Sequence, residues 1–326
     1  VKRFDLDGER LGEVSAGAVM KHSRDFNLAR EATLNSGLAL ETPAYDIQQA
    51  CGTGLEAAIL VANKIALGQI DAGIAAGTDT ASDAPIALNE KYRRMILDLN
   101  KAKTIGERLK TLLRFRPSFI LPSLPANAEP RTGLSMGQHC ERMVKQWGIS
   151  REAQDQLTWN SHQNLLAAYD EGFFDDLISP FNGVERDGIM RDTPMEKLAK
   201  LKPAFDRENG SLTAANSTTL TDGAASVLLA SEEWAAKRNL PVMAYLSFSE
   251  VAAVDFYSQG KQSEGLLMAP AYAVPRMLKR AGLSLQDFDF YELHEAFAAQ
   301  ALCTMKAWED EDFCKNKLGL DKALGS

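Results

Sequence analysis

Cys51 is the residue of this sequence best placed to do chemistry. It follows the run AYDIQQA (44–50) and precedes Gly52, Thr53 and Gly54, with an apolar stretch from Leu55 to about Leu67 behind them. That pattern predicts a strand, a tight turn and a buried helix, with the cysteine at the helix start. Free N–H groups and the helix dipole stabilise a thiolate there and lower the pKa of the thiol. A strand-to-helix elbow also carries its side chain to the edge of the sheet, where open α/β sheets bind ligands. The competing reading is a small buried core cysteine, the usual fate of a free thiol, and the local features leave both open. Cys140, in GQHCERM, and Cys303, in QALCTMKAW, lack the elbow and read as core. Cys314 lies in a charged segment and reads as exposed, with no role.

A histidine occupies a second elbow. His294 opens HEAFAAQ directly after the strand candidate Phe288–Leu293, and an apolar helix is expected over Glu295–Met305. An imidazole so placed can donate a hydrogen bond to a carbonyl oxygen, directly or through water. Capping the helix is an equally good local account. His22, His139 and His162 stand on polar stretches without a partner pattern and receive no role. No metal site is expected, because the four cysteines form no CxxC pair; their scatter also argues against a disulfide framework.

The elements that must position these residues alternate between strand and helix. A short helix over Arg30–Leu38 should end at Gly37, and Ala44–Ala50 is the strand before Cys51. The helix behind it has Leu55, Ala58, Ile59, Ala62, Ile65 and Ala66 at helical spacing and more apolar residues between, so burial all round is expected. Ile70–Ala76 reads as the next strand. Strand, helix, strand in this order argues a parallel sheet with helices on its faces. Val274, Met277, Leu278 and Ala281 mark a helix closed by Gly282, and a similar interval separates Gly37 from Cys51 and Gly282 from His294. This weak repeat suggests a duplicated fold.

Different material lies between. From Lys91 to Arg116 there are nine Lys or Arg against only Asp98 and Glu107, followed by Pro117, Pro122, Pro125 and Pro130. Ile105, Leu109, Leu112 and Leu113 share a helix face crowded by Arg108, Lys110, Arg114 and Arg116. Such a basic amphipathic helix suits a membrane surface or a docking partner. The plainer reading is a solvated lid whose cations attract phosphates. The expected division is 1–88, an inserted loop domain over 89–215, and a second half over 216–326.

Bulk properties agree with an ordinary globular protein. The chain has 326 residues, 45% hydrophobic and 25% charged, and a net charge of −8. That charge disfavours nucleic acid as a partner. No window approaches the length of a spanning helix, and the polar start offers no signal core. The scattered cysteines fit a reducing compartment, so a cytoplasmic protein, peripheral to membranes if the basic helix docks there, is expected.

Four segments, in order, carry a family resemblance. QQACGTGLEAAILVANKIALGQIDAGIAAGTDT is similar to the nucleophile segment of the thiolases. LSMGQHCERMVKQWGISREAQDQLTWNSHQ resembles their MG-x-x-x-E segment, KLAKLKPAFDRENGSLTAANSTTLTDGAASVLL their LRPAF…TAGN…DGAA stretch, and HEAFAAQAL their NEAFA motif. The resemblance covers nearly the whole chain. It implies an α/β thiolase fold, with duplicated βαβ halves and an inserted loop domain.

The same resemblance implies an acyl-CoA C-acyltransferase that cleaves a 3-ketoacyl-CoA, or runs in reverse, through an acyl thioester on Cys51. His294 falls where most of the family has Asn holding a water in an oxyanion hole. Its HEAF form looks like the β-subunit of the fatty-acid oxidation trifunctional complex. Met136 and Ser247 fall on positions that contact the pantetheine of coenzyme A, and Lys202 on the basic position of LRPAF near the nucleotide. Coenzyme A would be a co-substrate, with no permanently bound cofactor. A homodimer or dimer of dimers is implied, and an α-type hydratase/dehydrogenase subunit or an anionic membrane is the implied partner of 91–116. The family's first strand and R-T-P-F segment at the front, and its G-H-P histidine and C-x-G cysteine beyond Ser326, have no counterpart here. A chain truncated at both ends and inactive by itself is therefore expected. Three alternatives stand beside the degradative reading: a biosynthetic, acetoacetyl-CoA-forming thiolase, a carrier-dependent ketoacyl synthase, and a CoA- or lipid-binding relative without chemistry. HEAF and MG-x-x-x-E weigh against the synthase.

Overall fold

A computed structural model describes residues 1–258 and 264–325. In chain order its elements are β1 (Glu13–Gly17), α1 (Leu28–Asn35), β2 (Ala44–Asp46), α2 (Thr53–Ala66), β3 (Ala72–Asp79), α3 (Glu90–Lys101) and α4 (Ile105–Leu112). They continue with α5 (Met136–Trp147), α6 (Arg151–Asp170), α7 (Met195–Leu198), β4 (Gly223–Ala230), α8 (Glu232–Lys237), α9 (Ala269–Ala281), α10 (Ala298–Glu309) and α11 (Glu311–Asn316). They divide between two compact units, one of Val1–Ala126 and Leu220–Ser247, the other of Asn127–Thr219 and Phe248–Ser326.

The first unit is built on a sheet of order β2-β1-β3-β4. β1 runs parallel to both β2 and β3, with Val14 opposite Ala44 and Ile74. β4 returns antiparallel to β3, pairing Ala72 with Ala230 and Asp79 with Gly223. The parallel core matches the strand–helix–strand reading, and the antiparallel strand β4 adds an edge that this reading did not include. Helix α2 lies on the sheet through Ala57 and Val61, which pack with Ala75, Ile47 and Leu229. On that helix Leu55 is 67% exposed, so burial all round does not hold. Only one of its faces meets the strands.

The central strand β1 has no counterpart among the strands expected from sequence. Its five residues, EVSAG, are all buried although two are polar. Glu13 is satisfied there because Lys64 reaches its carboxylate as an ion pair and the Tyr45 hydroxyl donates to it at 3.1 Å. A buried carboxylate needs such partners, and a short strand containing one does not look apolar. β4 also changes the division read from sequence. It lies in 216–326, yet it completes the sheet of the first unit, while 89–215 is shared between the units.

The basic amphipathic helix forms as α4. Thr104 and Glu107 make a reciprocal capping box at its start. Its apolar face remains open, with Ile105 79% and Leu113 87% exposed.

The second unit is helical among its described residues. α10 is its axis: Ala299, Cys303, Thr304 and Ala307 are fully buried. Met143 of α5, Met268, Ala271 of α9 and Phe313 of α11 close around Cys303 and Ala307. Gly282, with φ 68°, ends α9 as expected. The strand over Phe288–Leu293 does not form. An extended segment becomes a strand only when a neighbouring strand pairs with its N–H and C=O groups. Among the described residues no strand pairs with 288–293.

Candidate active site

The Cys51 elbow forms as the sequence pattern requires, through a network of short contacts. β2 ends at Asp46, Ala50 takes a left-handed conformation with φ 45°, and α2 starts at Thr53 with Gly52 as its N-cap. A left-handed non-glycine residue costs about 1–2 kcal/mol, so something must hold it. Thr53 does so. Its hydroxyl donates to the Ala50 carbonyl at 2.7 Å and accepts from the Gln49 N–H at 2.8 Å. The Gly52 N–H donates to the Gln49 carbonyl at 3.0 Å, which tightens the same turn. β1 contributes by omission: a Cβ on Gly17 would sit 2.1 Å from the Ile47 carbonyl oxygen and 2.6 Å from the Thr53 methyl. Only glycine lets the elbow lie this close to the central strand.

The outcome is one accessible thiol and three enclosed ones. Cys51 is exposed at the start of α2, whereas Cys140, Cys303 and Cys314 are buried. Burial pushes the Cys303 thiol up to about 12 and the Cys140 thiol further, with Cys303 and Glu141 adding to the effect on Cys140. Both stay protonated at neutral pH and are poor nucleophiles. Cys314 is not exposed, contrary to the reading of its charged segment. Its neighbours Asp312 and Lys315 face out while its own thiol donates to the Trp308 carbonyl oxygen at 3.3 Å. Helical periodicity puts one side of a charged segment inside.

His294 lies in the second unit, exposed, four residues before α10 begins. The expected helix start at Glu295 moves to Ala298, because 295–297 bind across to another segment first. Thr218 N–H donates to the Ala296 carbonyl at 2.8 Å, and Ala298 N–H donates to the Asn216 carbonyl at 3.1 Å. On the other side of the turn, the Ser161 hydroxyl donates to Glu295 Oε2 at 2.7 Å.

The remaining candidates distribute as follows. Met136 opens α5 behind the Ser135 cap and is 38% exposed. Lys202 is exposed in a segment pinned on both sides: Arg151 donates to the Leu201 carbonyl at 3.1 Å, and the Ala204 N–H to the Leu212 carbonyl at 2.8 Å. Met136, Lys202 and His294 belong to the second unit, Cys51 and Ser247 to the first. Ser247 is exposed in a segment without regular secondary structure. Among the described residues no cluster of His, Cys, Asp or Glu could hold a metal.

His139, passed over as a polar-stretch residue, is only 5% exposed. Its Nε2 lies 2.9 Å from the Thr132 hydroxyl, and burial, with Arg142 nearby, holds its pKa below the ordinary histidine value. The sequence reading also missed Ala50, Thr53, Ser161 and Asn216. Thr53 was within reach, since a hydroxyl at the first position of a helix, directly after a Gly, is a standing turn signal. Nothing local marks Ser161.

Comparison with known proteins now decides the affiliation. Residues 1–233 match the family described as Thiolase, N-terminal domain, and 249–325 match Thiolase, C-terminal domain. The chain belongs to the thiolase family. A 3-ketoacyl-CoA thiolase of Yersinia pestis (strain Pestoides F) is 39% identical over 330 residues, spanning 99% of this chain and 74% of that protein. The 3-ketoacyl-CoA thiolase of Yersinia pseudotuberculosis serotype O:3 (strain YPIII) matches to the same extent. Among solved structures, a Bacillus anthracis acetyl-CoA acetyltransferase superposes with a TM-score of 0.78 at 30% identity, covering 100% of this chain and 79% of that one. Human mitochondrial 3-ketoacyl-CoA thiolase in complex with CoA gives 0.76 at 27% identity, covering 100% and 76%. This thiolase therefore has the thiolase fold and is an acyl-CoA acyltransferase.

Proposed function

We propose that this thiolase cleaves 3-ketoacyl-CoA, with Cys51 as the acyl-carrying nucleophile. The observation that carries the reading is the contrast among thiols: Cys51 alone of the four is exposed, and it stands at a helix start. The Cys51 thiolate attacks the C3 ketone carbon, and the C2–C3 bond breaks. Its electron pair leaves with the acetyl-CoA fragment, which takes up a proton. The acyl group remains as a thioester on Cys51 until the thiol of a second CoA attacks it, releasing a chain-shortened acyl-CoA and restoring the thiolate. His294 serves as a hydrogen-bond donor to a substrate carbonyl, and Met136, Lys202 and Ser247 contact CoA. The 3-ketoacyl-CoA thiolase relatives support the degradative direction over acetoacetyl-CoA synthesis.

Peptide mapping after brief iodoacetamide treatment tests the assignment. Cys51 should be alkylated first, in step with loss of thiolysis, and prior incubation with 3-ketoacyl-CoA should protect it. Preferential alkylation of Cys140, Cys303 or Cys314 as activity disappears would overturn it.

A further inference from the structure

We infer that helix α6 sets the pose of His294, with Ser161 and Asp155 as positioning residues. The inference builds on the reading of His294 as a carbonyl-binding group. A donor of that kind works only if its aim is held to within a few tenths of an ångström, and an exposed side chain on an unsupported loop is not so held. The segment before His294 gives little such support: among the described residues 288–293 pairs with no strand, and the Phe288 N–H and Tyr291 hydroxyl tie it only to the nearby Leu285 carbonyl. The restraint must come from the other contacts of the turn.

Two grips supply it, and both lead to α6. The first acts beside His294: the Ser161 hydroxyl donates to Glu295 Oε2 at 2.7 Å. Glu295 also acts on His162, the next residue of α6, and so this carboxylate faces the helix. The second acts at the far end of the turn, where the Asn216 carbonyl receives the Ala298 N–H at 3.1 Å. Asn216 is 2% exposed and its side chain is committed on every side. Its Nδ2 donates to Asp155 Oδ1 at 3.0 Å and to the Ser211 carbonyl at 3.3 Å, and its Oδ1 accepts from the Thr213 N–H at 2.7 Å. Asp155, 3% exposed, is itself locked by Arg151 Nε at 2.8 Å. Ser161 and Asp155 stand on one continuous helix, Arg151–Asp170. The two ends of the turn are thus referred to a single rigid element, and the His294 loop cannot rotate without breaking one grip.

The grips differ in what their loss does to folding. Glu295 is exposed, so water can replace the Ser161 hydroxyl without leaving a buried orphan. S161A should therefore fold and melt like the parent, with KM for the acyl-CoA within about two-fold. Its kcat should fall about three- to ten-fold, the scale of one misdirected hydrogen bond. S161T, which keeps the hydroxyl, should restore it. In protein carrying isotope-labelled histidine, the His294 ring signal, identified by its absence from H294N, should shift or broaden in S161A. D155N, which conserves volume, should move the same signal through the second grip. A His294 signal and a kcat unchanged from the parent in S161A would overturn the inference. If the signal moves while H294A retains full turnover, the positioning stands and the carbonyl-binding role of His294 falls.

Discussion

At Cys51 the hydrogen bonds that shape the turn lie within four residues of it, the Thr53 hydroxyl bonding the Gln49 N–H and the Ala50 carbonyl, while Gly17 on β1 contributes from further off only by leaving room. At His294 the corresponding groups come from far along the chain, with 134 positions between Ser161 and Glu295 and a further contact from Asn216 to Ala298. Both sites precede a helix and both side chains are exposed. The first is a local elbow whose strand, turn residues and helix start form one continuous segment. The second is a loop given its geometry by neighbours. A local device is robust to changes elsewhere, whereas a long-range one can be detuned from a distance without unfolding.

The largest effect expected from this contrast is at His294 itself. His294→Ala should lower kcat about 10²–10³-fold, the loss typical of removing one oxyanion donor, while His294→Asn should retain most turnover because an amide also donates. Steady-state thiolysis assays of the two variants decide this. Equal inactivity of both would point to proton transfer by the ring and remove the basis for comparing the sites as a nucleophile and a hydrogen-bond donor.

An intermediate effect is expected at the local elbow. Thr53→Val removes both side-chain hydrogen bonds while keeping the shape, and should destabilise the turn by about 1–2 kcal/mol. The rate of Cys51 alkylation should change with it, since Ala50 would be released from its left-handed conformation. Thr53→Ser should behave like the parent in both measurements. If Thr53→Val alkylates and melts normally, the elbow is held by its surroundings and the two sites are less different than argued.

The smallest effect is a pH dependence belonging to the second unit alone. Burial holds the folded-state pKa of His139 below its unfolded value, which is near 6.5. Its contribution is therefore complete above about pH 6.5 and is lost as pH falls toward the folded-state pKa, because only the unfolded chain takes up the proton there. Urea midpoints measured between about pH 7 and pH 5 should decline more steeply in the parent than in His139→Gln. Parallel declines would mean that His139 titrates alike in both states.

What could be read from the residues alone was whatever neighbouring residues determine among themselves. The Cys51 elbow, α2, β3, the closure of α9 by Gly282 and the basic helix α4 rest on periodicity, caps and turn residues, which are local physics. Four ordered segments were enough for the family, because each combines such local constraints with a particular side-chain chemistry. Folding in three dimensions decided the rest. β1 is central only because Lys64 and Tyr45 make a buried Glu13 tolerable, and β4 joins the first sheet across a long gap in sequence. The 288–293 segment fails to become a strand for want of a partner, and Cys314 and His139 are buried by packing that their polar neighbours conceal. Each of these outcomes depends on which distant group meets a backbone or buried polar atom, and that pairing is a property of the folded chain.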